Sequence, residues 1–70
     1  MTSFKIFYLN GQSYCVKINI TLLDLINYFD FNESLLVLEY NNLICEKKNW
    51  GGITLKNQDR IEIVTIVGGG

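Results

Sequence analysis

The sequence predicts an α+β domain in which a mixed sheet of four to five strands carries one main helix on one face. Three observations predict this class. A turn dipeptide separates two apolar runs near the start of the chain, a segment with helical spacing follows them, and the last apolar run has no neighbouring run with which to pair.

The first element is a β-hairpin. Phe4 to Leu9 and Ser13 to Ile18 are rich in apolar, aromatic and β-branched residues, and Asn10-Gly11 lies between them. Asn-Gly accepts the positive φ angles of a type I′ turn, which joins two antiparallel strands tightly. We therefore predict two adjacent strands at the start of the chain.

The second element is a helix that begins after Thr21. Thr21 and Asp24 stand three residues apart and resemble a capping box, with Asp in place of the usual Glu. We expect the helix to run from about Leu22 to Phe29 or Asp30. The apolar residues that follow the i, i+3, i+4, i+7 spacing of one helical face are Leu22, Leu25, Ile26 and Phe29.

The second half of the chain returns to strand character. Asn41-Asn42 supplies a turn, Asn57-Gln58-Asp59 supplies another, and Trp50 between them is interpreted as a packing anchor. The predicted strands are Leu35 to Tyr40, Leu43 to Cys45 and Ile61 to Val67, with a brief segment at Ile53 to Leu55.

The element order ββαβ(β)β predicts how the sheet is connected. An opening hairpin, a helix across one face and a closing strand fit a sheet in which the first and last strands pair in parallel at the centre. This arrangement is the β-grasp, or ubiquitin-like, architecture, which supports many unrelated functions. We assign residues 1–67 to this domain and residues 68–70 to a flexible C-terminal glycine tail.

The composition excludes several classes of active site. A domain of this size buries only about 60% of the surface of its unfolded chain, which leaves little room for a deep cavity. The chain contains no histidine, so Cys-His catalysis and most zinc sites are excluded within it. Cys15 and Cys45 are interpreted as small buried or half-buried side chains rather than a disulfide. No catalytic residue and no metal ligand is predicted.

Charge and hydropathy limit the partners. The net charge is −1 and the basic residues are scattered, apart from Lys47-Lys48, so we expect no nucleic-acid partner. The apolar runs are too short to span a bilayer and no signal pattern precedes the first strand, so we expect a soluble intracellular chain. Residue types with AT-rich codons predominate, which favours the cytoplasm of a low-GC bacterium or a plastid stroma.

Alternation along the last strand predicts an exposed apolar surface. Ile61 and Ile63 are expected to pack under the helix, whereas Val64 and Ile66 share the parity of Glu62 and face away from it. On the first strand, Phe7 and Leu9 are expected inside. The residues predicted to form one contiguous partner-binding patch beside the tail are Ile6, Tyr8, Val64 and Ile66.

The last three residues, Gly68, Gly69 and Gly70, predict a second functional feature. Glycine has no Cβ and adopts backbone conformations that other residues avoid, so a triglycine segment can thread a narrow channel in a partner. The four residues after Ile66 reach roughly 13 Å when extended. We expect the carboxylate of Gly70 to be the functional group of this chain, and Gly68 and Gly69 to be its stalk.

These features resemble the ThiS family of sulfur carriers, and the resemblance covers nearly the whole chain. Its most specific part is the ending, where Asp59-Arg60-Ile61-Glu62-Ile63-Val64 leads through Val67 to the three glycines. Asn10-Gly11, the helix start Thr21-Leu22-Leu23-Asp24-Leu25 and the position of Trp50 support it. The chain departs from the family at Asn57-Gln58-Asp59, which is usually Asp-Gly-Asp, and at Glu46, where a basic residue or proline is common.

The resemblance implies chemistry at Gly70. A ThiF-like adenylating enzyme would use Mg-ATP to convert the carboxylate to an acyl-adenylate. A persulfide from a cysteine desulfurase or another donor would then yield a thiocarboxylate, and a ThiG-like thiazole synthase would receive the sulfur for the thiazole ring of thiamine. On this interpretation the chain is not an enzyme and binds no cofactor of its own.

Two alternatives share the fold and the glycine ending. The small subunit of molybdopterin synthase also carries sulfur, but its tail commonly contains proline shortly before the glycines, and this chain has no proline. A ubiquitin-like modifier would pass the activated carboxyl group to a lysine. A binding module that acts without its tail belongs to a third class.

Overall fold

The computed structural model of the protein describes residues 4–66. The chain forms five strands, one α-helix and two 3₁₀ turns over this range. The strands are β1 (Lys5–Leu9), β2 (Gln12–Val16), β3 (Leu36–Tyr40), β4 (Leu43–Cys45) and β5 (Arg60–Thr65); the helix is α1 (Leu22–Tyr28), and the 3₁₀ turns are Glu33–Leu35 and Lys47–Gly52.

The strands form one mixed sheet in the order β2-β1-β5-β3-β4. β1 and β5 pair in parallel at the centre, and the other pairs are antiparallel. This is the predicted α+β, β-grasp architecture, and it places β5, the strand that precedes the glycines in sequence, in the middle of the sheet.

The opening hairpin turns at Asn10 and Gly11, as predicted. Both have positive φ, 51° and 83°, the combination that a type I′ turn requires. Asn10 also ties the turn to β5: its N–H donates to the carbonyl of Ile61 at 2.9 Å, and its Oδ1 accepts from the N–H of Ile63 at 2.7 Å. The turn therefore lies beside Ile61 and Ile63 of β5.

α1 begins at the predicted capping box and ends slightly earlier than expected. Thr21 Oγ1 accepts from the N–H of Asp24 at 3.1 Å, and Asp24 Oδ2 accepts from the N–H of Thr21 at 3.0 Å. The helix ends at Tyr28 because Asp30 adopts a φ of 59°, which is incompatible with a further helical turn. One face of α1 packs on the sheet.

The hydrophobic core lies between α1 and the inner face of the sheet. Trp50 belongs to it, with only 2% of its surface exposed, and its indole N–H donates to the carbonyl of Cys45 at 2.9 Å. The predicted role of Trp50 as a packing anchor is confirmed. The other buried apolar residues are Phe7, Leu9, Leu22, Leu25, Ile26, Leu36, Leu38, Leu55, Ile61 and Ile63.

Several strand boundaries differ from the predictions for local reasons. β3 begins at Leu36 because Asn32 caps a 3₁₀ turn over Glu33–Leu35, its Oδ1 accepting from the N–H of Ser34 at 3.1 Å. The segment at Ile53 to Leu55 is not a strand of the sheet, since Thr54 makes a single bridge to Thr21. β2 ends at Val16 rather than Ile18, and β5 ends at Thr65.

One prediction for the cysteines is wrong. Both thiols are free, and Cys45 is half-buried as expected, but Cys15 is exposed. Cys15 lies opposite Ile6, which is also exposed, on the side of the β1–β2 pair that faces away from α1. No layer covers that side of the edge strand in residues 4–66, so an apolar side chain there stays in contact with solvent.

Candidate functional site

The central strand β5 is held at both ends. Its first residue, Arg60, is preceded by Asp59, a carboxylate that is only 6% exposed. At its other end, the N–H of Ile66 donates to the carbonyl of Leu35 at 2.6 Å. The predicted carrier residues Gly68, Gly69 and Gly70 lie outside the described residues, and β5 is the last strand before them in sequence.

Asp59 fixes the start of β5 through a network of hydrogen bonds. Its Oδ2 accepts from the hydroxyl of Tyr40 at 2.6 Å and from the N–H of Lys56 at 2.7 Å, and its Oδ1 accepts from Asn41 Nδ2 at 3.2 Å. Asn41 Oδ1 in turn accepts from the N–H of Arg60 at 2.8 Å. The network joins the turn before β5 to the turn after β3.

Two side chains near this network have raised pKa values. Burial, together with the hydrogen bond to Asp59 and its charge, raises the pKa of Tyr40 to about 12. Burial and, to a smaller extent, the charge of Glu46 raise the pKa of the Cys45 thiol. Both groups therefore stay protonated near neutral pH, and neither is prepared to act as a nucleophile or base.

The alternation predicted for β5 is confirmed. Ile61 and Ile63 are buried, whereas Glu62 and Val64 are exposed on the opposite face. Val64 is 57% exposed and Ile66 is 51% exposed. The outer face of the sheet therefore presents apolar side chains next to the last described residue.

The register shows that the four predicted patch residues do not form one surface. In the parallel β1–β5 pair, Tyr8 is level with Arg60. Val64 lies four residues further along, about 13 Å past Tyr8, and Ile6 lies about 20 Å from Val64 along the strands. The shared face was predicted correctly, but the parallel register places Ile6 and Tyr8 at one end of it and Val64 and Ile66 at the other. The prediction of one contiguous patch is therefore wrong.

The two β1 residues, Ile6 and Tyr8, have different neighbours from the two residues at the end of the described chain, Val64 and Ile66. Ile6 lies opposite Cys15, and the Arg60 guanidinium lies 5.4 Å from the centre of the Tyr8 ring. Val64 lies opposite Val37 of β3. We use the name β5 patch for Val37, Val64 and Ile66, three apolar residues of the outer face close to the end of the described chain.

Two residues of this outer face were missed from the sequence. Val37 is half-buried opposite Val64, and Glu39 is half-buried directly opposite Glu62. The alternation of β3 between buried and less buried positions was a usable signal, since Leu36 and Leu38 are buried. What the sequence lacked was the information that β3 pairs with β5.

An open apolar groove of about 410 Å³ lies between β2 and α1, away from the β5 patch. Tyr14, Val16, Leu25 and Phe29 contribute to its lining. Asp24, which also borders it, is already engaged in the helix cap. Among residues 4–66, no group of three or more histidine, cysteine, aspartate or glutamate side chains is placed to hold a metal ion.

Within the described part of the chain, no helix is both long enough and apolar enough to cross a bilayer.

The chain is similar in sequence to a known protein family and in fold to a solved structure. The model of the ThiS family matches residues 7–70, which include the three glycines. A crystal structure described as thiamine biosynthesis protein (ThiS) from Geobacter metallireducens superposes with a TM-score of 0.78 at 20% identity, and the match covers 93% of this chain and 99% of that one. At this identity the superposition shows the fold alone.

The relatives most informative about origin are algal proteins that carry the name uncharacterized protein ycf40. The protein from Trieres chinensis is 67% identical over 66 residues, covering 94% of this chain and 90% of its own length. Those from Porphyra purpurea and Pyropia yezoensis are 34% and 36% identical over 62 residues, covering 89% of this chain and 87% of theirs.

Proposed function

This chain belongs to the ThiS family of ubiquitin-like sulfur carriers, and on that premise we propose that it carries sulfur as a thiocarboxylate on Gly70 for the thiazole ring of thiamine. The observation that supports this most directly is that the family match extends through residue 70 and therefore includes all three glycines. The β-grasp sheet supplies the scaffold, with its central strand leading to them.

The proposed chemistry begins with an unreactive group. A carboxylate resists nucleophilic attack because its charge is delocalised, so a partner enzyme first joins it to the AMP portion of Mg-ATP and releases pyrophosphate. The terminal sulfur of a persulfide then attacks the acyl-adenylate and AMP leaves. A thiol reductant cleaves the resulting acyl disulfide, which leaves the thiocarboxylate on Gly70.

The chain itself contributes shape and a docking surface to this sequence of steps. Gly68 and Gly69 carry no side chain, so an active-site channel of a partner needs to admit only backbone atoms. The β5 patch borders the start of this segment and offers exposed apolar area for docking. Ile6 and Tyr8 stay predicted contact residues, at a separate part of the same face.

The proposed partners are an adenylating enzyme of the ubiquitin-activating type and a thiazole synthase, with a cysteine desulfurase or another persulfide donor supplying the sulfur. The chain acts as their substrate and binds no cofactor itself; Mg-ATP is used by the activating enzyme. We propose that these reactions take place in the plastid stroma, one of the two compartments expected from the sequence, because the ycf40 relatives come from algae.

Substitution of Gly69 tests the carrier proposal. Gly69→Val places a branched side chain on the stalk, and we expect it to abolish ATP-dependent pyrophosphate release by the adenylating enzyme while the melting temperature stays at the wild-type value. Gly52→Val is the matched control, because a Cβ at Gly52 meets no atom within 4 Å and its φ is not positive. Normal adenylation of the Gly69→Val chain contradicts the proposal that a glycine stalk threads a narrow channel in the adenylating enzyme.

The enzyme that receives the sulfur is identified in a separate experiment. A thiocarboxylate form of the chain, incubated with thiazole synthase and its other substrates, is expected to lose its sulfur as the thiazole product forms. If the sulfur is transferred to a molybdopterin precursor instead, the chain is a small subunit of molybdopterin synthase. If covalent conjugates appear on a denaturing gel, the chain is a ubiquitin-like modifier.

A further inference from the structure

The outer face of the sheet holds two glutamates in an unfavourable arrangement. Glu39 of β3 and Glu62 of β5 are directly opposite in the antiparallel register, which places their Cβ atoms about 5 Å apart. Like charges at such positions destabilise a sheet. Glu62 is exposed and Glu39 is half-buried, so water screens the repulsion only in part.

No cation of the described chain forms an ion pair with either glutamate. The ion pairs within residues 4–66 join Lys47 to Glu33 at 3.4 Å and Lys48 to Glu46 at 3.5 Å. Arg60 is two residues before Glu62 on the same face, but its guanidinium lies over the Tyr8 ring instead. The two carboxylates therefore face outward without a partner in the described part of the chain.

The pair adjoins the β5 patch. Val37 and Val64 form the next outer pair along the same two strands. Exposed apolar side chains bordered by polar ones are the usual composition of a protein–protein interface, in which charged groups at the rim guide association and select the partner. The charges that directly adjoin the patch, those of Glu39 and Glu62, are both negative, so the complement of this part of the rim is positive.

From this arrangement we propose that the adenylating enzyme docks on the β5 patch and places an arginine or lysine between Glu39 and Glu62. The inference rests on the proposed function and adds the chemistry of the docking surface. The repulsion that destabilises the free domain is removed in the complex, where a cation bridges both carboxylates. The partner surface is therefore apolar at its centre and basic at the edge that meets the β3–β5 pair.

Glu62→Lys tests this inference because it converts the repulsive pair into an attractive one. In the free domain we expect a melting temperature about 1–5 °C higher than the wild-type value. Association with the adenylating enzyme, measured by stopped-flow fluorescence without ATP, is expected to slow by about tenfold at low salt. The difference in association rate between Glu62→Lys and wild type is expected to shrink at high salt, where rim charges are screened.

Glu62→Gln and Asp30→Asn complete the experiment. Each removes one negative charge, but Asp30 lies just after α1, on the helix side of the sheet, and asparagine tolerates its positive φ. We expect Glu62→Gln to raise the melting temperature and slow association, and Asp30→Asn to leave the association rate within about twofold of wild type.

Three results overturn the inference. If the wild-type chain is adenylated but Glu62→Lys associates as fast as wild type at low salt, the inference fails and the proposed function stands. If the charge effect is found with thiazole synthase and not with the adenylating enzyme, the assigned partner is wrong. If the wild-type chain is never adenylated, the proposed function fails, and the partner assigned here fails with it.

Discussion

The hydroxyl of Tyr40, at the end of β3, donates a 2.6 Å hydrogen bond to Oδ2 of Asp59, immediately before β5. Asp59 is the one buried charged side chain among residues 4–66. Its two oxygens also accept from Lys56 and Asn41. This contact fixes the start of the central strand.

Replacement of Asp59 by asparagine is expected to destabilise the domain. The amide keeps one oxygen but turns an NH₂ group toward a donor, either Asn41 Nδ2 or the N–H of Lys56, so one part-buried hydrogen bond to the carboxylate is lost. We expect the free energy of unfolding in urea to fall by about 1–3 kcal/mol. Tyr40→Phe removes a single hydrogen bond and is expected to cost about 1 kcal/mol. An Asp59→Asn domain as stable as wild type contradicts this assignment.

The same contact predicts how stability changes at alkaline pH. The pKa of Tyr40 is raised from 10.0 to about 12, first by burial and then by Asp59. Because the folded domain holds the phenol proton more tightly than the unfolded chain, this contribution to stability is complete below pH 10 and is lost as the pH rises through about 12.

Tyr40→Phe is the control for this pH dependence. We expect the difference in unfolding free energy between wild type and Tyr40→Phe to narrow between pH 10 and about 12, as measured by urea denaturation at a series of pH values. A difference that stays constant across this window shows that the Tyr40 proton is not held by the folded state.

The two cysteines are expected to react at different rates. Cys15 is exposed, whereas Cys45 is half-buried and burial raises the pKa of its thiol. Since the thiolate is the reactive form, a chromogenic disulfide reagent at neutral pH should label Cys15 first. Peptide mapping of singly labelled protein identifies the site, and Cys15→Ser should remove the fast phase. A fast phase that survives in Cys15→Ser contradicts the exposure assigned to β2.

Substitutions on the outer face test the separation of its two apolar regions. We expect Ile66→Ser, in the β5 patch, to weaken binding of the adenylating enzyme by about tenfold or more, because it removes apolar area at the centre of the proposed interface. Ile18→Ser is the control, since Ile18 is 66% exposed but borders the groove between β2 and α1. Calorimetric titration measures both, and equal affinities for the two variants exclude the β5 patch as the docking surface.

Ile6→Ser, at the other end of the face, gives a further comparison. If Ile6 contacts the same enzyme, Ile6→Ser lowers the affinity for that enzyme, as Ile66→Ser does. If only Ile66→Ser has an effect, the interface is confined to the β5 patch and the predicted role of Ile6 is wrong.

Local patterns in the sequence were sufficient for most of the fold. Asn10-Gly11 predicted the hairpin, Thr21 and Asp24 predicted the start of α1, and the alternation of Ile61 and Ile63 with Glu62 and Val64 predicted which side of β5 is buried. In each case the physical cause acts within a few residues: a positive φ, a reciprocal cap or the two-residue period of a strand.

Properties that depend on pairing between distant segments were not predicted. The distance between Ile6 and Val64 is set by the parallel register of β1 and β5, and the opposition of Glu39 and Glu62 is set by the pairing of β3 with β5. The structural role of Asp59 depends on Tyr40, nineteen residues earlier. Exposure of Cys15 likewise follows from the position of β2 at the sheet edge.

The central claim is that Gly70 carries sulfur, and intact mass spectrometry tests it most directly. The chain is incubated with Mg-ATP, the adenylating enzyme, a persulfide donor and a thiol reductant, and is then fragmented. We expect the mass gain of one oxygen exchanged for sulfur, localised to Gly70. An unchanged mass, under conditions that convert a carrier of known activity, contradicts it.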